Sequence, residues 1–261
     1  MAKVLSKSVV FITGTFIGNN CWDEWKLYFE SKGYHCIAPA WPYKNATPEE
    51  LRNRHGDDPI AHNRLETLID YFANKVETPQ GPSIVIGHSL GGLIVQLLLQ
   101  RGIGSAGVAI HSFPPAGISI FAISFLNAVW GAMGVFTPTR KTYMISFKTW
   151  KHAVANGLSC EQQKQSFYKY AIPESKLITR DAFKCVAKIN FKSPHAPLLI
   201  LSGGDDRIIS PALNYNNYKK YKAGKSITGY KEFKGHNHLV FDYPACKEHA
   251  DFILNWLQAL T

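Results

Sequence analysis

Residues 87–91 read Gly-His-Ser-Leu-Gly, a single serine set between two glycines in the spacing G-x-S-x-G. A serine hydroxyl is a weak nucleophile. It attacks a carbonyl only when a neighbouring base takes its proton and a carboxylate orients that base. Two late segments supply those residue types. LLILSGGDDRIISP carries Asp205 and Asp206, and FKGHNHLVFDYP carries His236 and His238. Serine, acid and histidine in that chain order can form and hydrolyse an acyl-serine with no metal and no cofactor.

Such a set works only if the fold brings it together, and the flanking sequence indicates how. Ser83–Gly87 is an apolar run that reads as a buried strand, and Gly92–Gln100 reads as a helix. A serine at that junction sits on a sharp, strained turn, where side chains two positions away on either side would collide. Gly92 lets the helix pack closely, and the helix N-terminus turns N–H groups toward the serine. Further strands are expected at Val9–Thr13, His35–Ala38, Ala106–Ile110, Pro197–Ser202 and Ile227–Phe233. Helices are expected at Asp23–Ser31, Pro59–Val76, Pro211–Tyr221 and Ala245–Leu260. Short apolar runs alternating with helical periodicity imply an α/β fold, a mostly parallel, doubly wound sheet covered on both faces.

The alternation lapses between Phe113 and Lys192, after a Pro-Pro turn. A helical cap inserted between two strands accounts for this, giving a core over 1–112, a cap over 113–193 and the rest of the core over 194–261. Within the cap, residues 117–136 (GISIFAISFLNAVWGAMGVF) hold fourteen apolar residues of twenty and no charge. That length could just span a bilayer. Asn127, two serines and three glycines argue instead for a buried helix lining an apolar cavity, with Phe121 and Phe125 as pocket residues. His111, at the end of the strand after the serine's helix, is a further pocket candidate.

The chain of 261 residues is 46% apolar and carries a formal charge of +10. Between Arg140 and Lys192 eleven Lys/Arg face three acids, Glu161, Glu174 and Asp181. No aromatic-plus-basic motif accompanies the charge, so nucleic acid is not the expected partner. A weak, salt-sensitive contact with an anionic membrane surface is the expectation for this basic rim. Five scattered cysteines without a CxxC pair read as reduced thiols, and the short β-branched N-terminal run reads as a strand. Together these favour a cytoplasmic protein, monomeric or homodimeric.

Over essentially its full length the chain resembles the α/β-hydrolase superfamily, in particular small bacterial-type capped serine hydrolases. G-x-S-x-G between strand and helix, the G-x-x-D pattern in GGDDRIISP, and F-x-G-x-x-H-(x)5-P from Phe233 to Pro244 carry the likeness. The resemblance implies Ser89 as nucleophile and Asp206 as acid, with Asp205 the alternative. It implies His238 as base, with His236 its loop neighbour; topology alone does not separate the two histidines. It implies an oxyanion hole from the backbone N–H of Leu90 and of Thr15, with Phe16 the alternative and a further pocket candidate. Thr13-Gly14 stands where relatives carry His-Gly, which leaves a main-chain donor intact. The implied activity is cleavage of a small apolar ester or thioester through an acyl-enzyme. Receptor-like, lyase and C–C hydrolase members share the scaffold and form the alternative.

Overall fold

In a computed structural model, residues 4–79, 81–118, 132–134, 137–222, 224–242 and 244–260 are described. Six parallel strands form one sheet: β1 (Ser8–Ile12), β2 (His35–Ile37), β3 (Ile84–His88), β4 (Ala106–Ile110), β5 (Leu198–Gly203) and β6 (Thr228–Phe233). Their spatial order is β2-β1-β3-β4-β5-β6. β3, β4 and β5 are buried along their whole length, whereas the edge strands β2 and β6 alternate or lie half exposed. That division explains the near-continuous apolar runs of the central strands and the weaker, more polar signals of the edges.

Helices cover both faces. On one, α1 (Asp23–Ser31) and α8 (Ala245–Gln258) bury Trp25, Phe29, Ile253 and Leu257 against Val9, Phe11 and Ile86. On the other, α3 (Leu65–Val76), α4 (Leu90–Gln100) and α7 (Pro211–Tyr221) bury Leu68, Phe72, Ile94 and Leu213 against Val10, Val85 and Ile200. α4 is buried from Leu90 to Leu99 because it lies between the sheet and α3. Its buried polar side chain, Gln96, is satisfied by Ser112, Asn217 and Tyr221.

The chain enters the sheet at β1, adds β2 on one side, then crosses to β3 on the other. The C-terminal ends of β1 and β3 therefore flank a topological switch point, the crevice where such sheets place their ligands. Both the Thr13–Phe16 loop and Ser89 lie there.

The helix expected over Pro59–Val76 is two pieces. Asp57 caps a single turn at Asp58–Ala61, and α3 restarts at Leu65. Arg64 is extended at the break, and its guanidinium grips Asp181 through two bonds of 2.6 and 2.7 Å. Asp181 also accepts the Leu65 N–H, so a carboxylate 116 residues away caps α3.

In the segment expected to be the cap, α5 (Cys160–Tyr170) and α6 (Lys176–Asp181) follow a short helix at Phe147–Thr149 that continues into one π-turn. α2 (Pro48–Asn53) of the core packs on α5. A buried Lys44–Glu174 ion pair joins the loop after β2 to the strand-like segment before α6. Ser175 Oγ there donates to the carbonyl of Ala61. The basic run is not all rim: Lys176 donates to Thr137 and Pro138, and Arg180 donates to the carbonyls of Met133 and Gly134. Phe121 and Phe125 lie outside the described residues. No helix of the described residues is long and apolar enough to cross a membrane.

Candidate active site

Ser89 occupies the one-residue hinge between β3 and α4 with φ 54° and ψ −117°, a left-handed conformation costly for a non-glycine residue. Its N–H donates to Ile110 of β4 and its carbonyl accepts from Gly92 and Phe113, so the neighbouring strand and helix hold the strain in place. The glycines make the hinge sterically possible. A Cβ on Gly87 would lie 2.2 Å from the Gly91 carbonyl oxygen, and one on Gly91 would lie 2.2 Å from the Ile12 carbonyl oxygen. The two flanking glycines are thus needed where the elbow crosses itself and where it crosses β1.

The acid loop follows β5. Asp206 is buried; Oδ1 accepts the N–H groups of Ile208 and Ile209, both at 2.8 Å, and Oδ2 faces His238 Nδ1 at 2.7 Å. A carboxylate only accepts, so Nδ1 of His238 carries a proton and Nε2 is left with the lone pair of a neutral ring. Asp205 is exposed, and its main chain is engaged by His236 and Asn156. His236 pairs through Nε2 with Glu248 of α8 at 2.9 Å. The two acids and two histidines left open by topology thus fall into one buried pair, Asp206–His238, and two residues directed elsewhere.

His238 and Ser89 line one apolar cavity of about 50 Å3. Thr15, Phe16 and Leu90 line it as well, and the remaining wall comes mainly from Phe113, Ile145, Trp150, Val154 and Ile208. Of the stretch 117–136, Ala132 reaches this wall. Leu90 is the first residue of α4, so its N–H is one of the helix's unpaired amides. The opposite loop is tied down by the end of α5 and the segment after it: Gly18 donates to Tyr170, and Ile172 donates to Phe16. Gly14 lets this loop approach the nucleophile, since a Cβ there would lie 2.7 Å from that of Ser89.

His111 does not line the described cavity. It is fully buried, with Nδ1 3.4 Å from Asp206 Oδ2. His88, which the sequence offers only as the variable position of the motif, is also fully buried, and its Nε2 reaches the carbonyl of His238 at 2.9 Å. Burial holds both His88 and His111 far below the usual histidine range, so both rings are neutral. His88, His111 and His238 bring one ring nitrogen each within 4.8 Å of one another. Two of these rings already hold bonds, His88 through Nε2 to a carbonyl and His238 through Nδ1 to Asp206. Trp150, Val154 and Thr179, also at the cavity, gave no signal in the sequence, because their place depends on how the segment packs over the core.

A family model described as the alpha/beta hydrolase family matches residues 9–246. Among solved structures, the chain is similar to a monoacylglycerol lipase of Paleococcus ferrophilus: 18% identity, TM-score 0.65, covering 97% of this chain and 95% of that one. It is similar to an extracellular alpha/beta-hydrolase from a Paenibacillus species: 20% identity, TM-score 0.70, covering 95% and 98%. It is also similar to tomato methylketone synthase I, solved with 2-tridecanone: 15% identity, TM-score 0.67, covering 98% and 100%. No curated protein matches by sequence.

Proposed function

The chain belongs to the alpha/beta hydrolase family, and from that premise we propose that it is a serine hydrolase cleaving a small apolar ester or thioester. The observation that carries the reading is the buried Asp206–His238 bond of 2.7 Å opening on the cavity that holds Ser89. Ser89 Oγ attacks the carbonyl carbon while His238 Nε2 takes its proton. Asp206 holds the ring in the required tautomer and stabilises the imidazolium that forms. The N–H groups of Leu90 and Thr15 stabilise the tetrahedral oxyanion, helped by the positive end of α4. The intermediate collapses to an acyl-serine as His238 returns the proton to the leaving alcohol or thiol. Water, deprotonated by His238, then releases the acid and restores Ser89.

The cavity wall supports an apolar substrate: no Lys, Arg, Asp or Glu is among its described lining residues. On this reading the segment expected to be the cap closes over the cavity, with Ala132, Ile145, Trp150 and Val154 providing wall for the acyl or alcohol part. Two proteins of like fold are, by name, a monoacylglycerol lipase and a synthase solved with a long-chain ketone, in keeping with apolar ligands. Five free thiols, with Cys21 and Cys36 buried, support a cytoplasmic site of action. The test is turnover of p-nitrophenyl esters of graded chain length, with Ser89→Ala as control. Turnover lost in the variant supports the reading. A protein that binds apolar ligands but turns over no ester or thioester would be a receptor on the same scaffold.

A further inference from the structure

His111 is built into the molecule at some expense, and the hydrolytic mechanism above makes no use of it. It follows β4 with φ 46°, a left-handed conformation uncommon for a non-glycine residue. Its N–H donates to Leu201 of β5, which fixes the backbone there. Gly203 leaves room for the ring: a Cβ at that position would lie 2.7 Å from His111 Cε1. The side chain is fully buried, and neither ring nitrogen has an aligned hydrogen-bond partner. A buried, unpartnered imidazole is costly unless its position serves another group.

That group is Asp206. His111 Nδ1 lies 3.4 Å from Oδ2, the oxygen that His238 also uses. The distance exceeds that of an ordinary hydrogen bond, so the ring acts as an oriented dipole on the carboxylate. The other titratable groups acting on it are His88 at the end of β3, His238 and His236 on the loop after β6, and His249 of α8. The ring centroids of His88, His238 and His249 lie 6.1, 6.0 and 5.4 Å from that of His111. None of these is an anion; among the described residues, the carboxylate recorded beside the His111 ring is Asp206.

We propose that His111 is a positioning residue for the acid of the triad: with its proton on Nδ1, it holds Asp206 Oδ2 toward His238 and draws charge from it. The proposal rests on the serine-hydrolase reading of Ser89, Asp206 and His238. A carboxylate shared between two imidazole N–H groups stabilises the His238 cation less than one serving a single ring. Loss of His111 should therefore move the acid limb of the kcat/KM profile to higher pH.

The experiment measures kcat/KM against pH on a p-nitrophenyl ester for wild type, His111→Leu, His111→Asn and His111→Gly. Active sites are counted with a fluorophosphonate, so that misfolded protein does not enter the rate. His111→Leu should lose about tenfold in kcat/KM per active site, as a carboxylate no longer held in place lets the base shift slightly. Its acid limb should rise by roughly half a pH unit. His111→Asn keeps an N–H donor near the position of Nδ1 and tolerates the left-handed backbone, so it should restore both. His111→Gly removes the backbone strain and still lacks the donor, so it should titrate like the leucine variant even if the latter folds poorly. Unmoved limbs and unchanged rates per site in Leu and Gly, with only thermal stability lowered, would overturn the role of His111 alone. A wild type that neither turns over esters nor takes the label would overturn the hydrolase reading and this role with it.

Discussion

His88 donates its Nε2 proton to the main-chain carbonyl of His238 at 2.9 Å. The residue before the nucleophile thus holds the backbone of the residue assigned as base. The carbonyl can only accept, which fixes the proton on Nε2, and burial holds the ring neutral, leaving Nδ1 unprotonated. His88→Ala should free the loop that carries His238 and lower kcat by about a hundredfold, the scale expected from a small misplacement of a reacting group. KM should change little. Steady-state kinetics check this, and a KM effect with kcat preserved would count against it.

Gly14 stands where the loop after β1 meets the nucleophile, and an added methyl would lie 2.7 Å from Ser89 Cβ. Gly14→Ala should therefore separate the Thr15 amide from the elbow. Loss of one oxyanion donor costs about 100- to 1,000-fold in kcat. The fold should survive, because the contact lies at the crevice. Circular dichroism with ester turnover would check both halves.

The buried histidines make a linkage prediction. His249 of α8 stacks on Phe233 at 4.0 Å, donates through Nδ1 to Ala245, and is pushed down to about 3 by burial. Its folded pKa lies below its unfolded value near 6.5, so the unfolded chain binds more protons between those two values. The stability it contributes is present above about pH 6.5 and is lost as pH falls toward 3. His88 and His111 act in the same direction. Urea unfolding from pH 8 to 4.5 should show stability falling with acid. His249→Phe should flatten that fall by roughly 1.4 kcal/mol per pH unit at most. An unchanged slope would show that His249 titrates normally in the fold.

The Lys44–Glu174 pair is buried at both ends, Lys44 also lies over the Trp41 ring at 4.3 Å, and Glu174 Oε1 accepts the Ser175 N–H. Removing one partner leaves the other charge buried alone. Glu174→Leu or Lys44→Met should cost about 3–5 kcal/mol, and the double substitution clearly less than the sum. Denaturant midpoints on the three variants test this, and additive losses would show that the pair is not coupled.

Much of the scaffold was legible because its signals are local. The central strands read as continuous apolar runs; Ala106–Ile110 has the bounds the sequence implied, and the elbow announces itself by its glycines. The break before α3 was not legible, since it is made by Asp181 from across the chain. The basic stretch read as a rim, yet Lys176 and Arg180 turn inward to carbonyls, which charge counting cannot reveal. Asp206 and His238 were separable from Asp205 and His236 only by resemblance. The structure distinguishes them by burial and by partner, both products of long-range packing.

The central claim is that Ser89 is a nucleophile activated by His238 and Asp206. The most direct measurement is the site and rate of covalent labelling by a fluorophosphonate, read by mass spectrometry of peptides. One adduct should form, on Ser89. It should be absent in Ser89→Ala and at least about a hundredfold slower in His238→Ala, which lacks the general base. Asp206→Asn should also slow it strongly, whereas His236→Ala and Asp205→Asn should label at nearly the wild-type rate. An adduct on another residue, or labelling that depends on His236 and not on His238, would contradict the account.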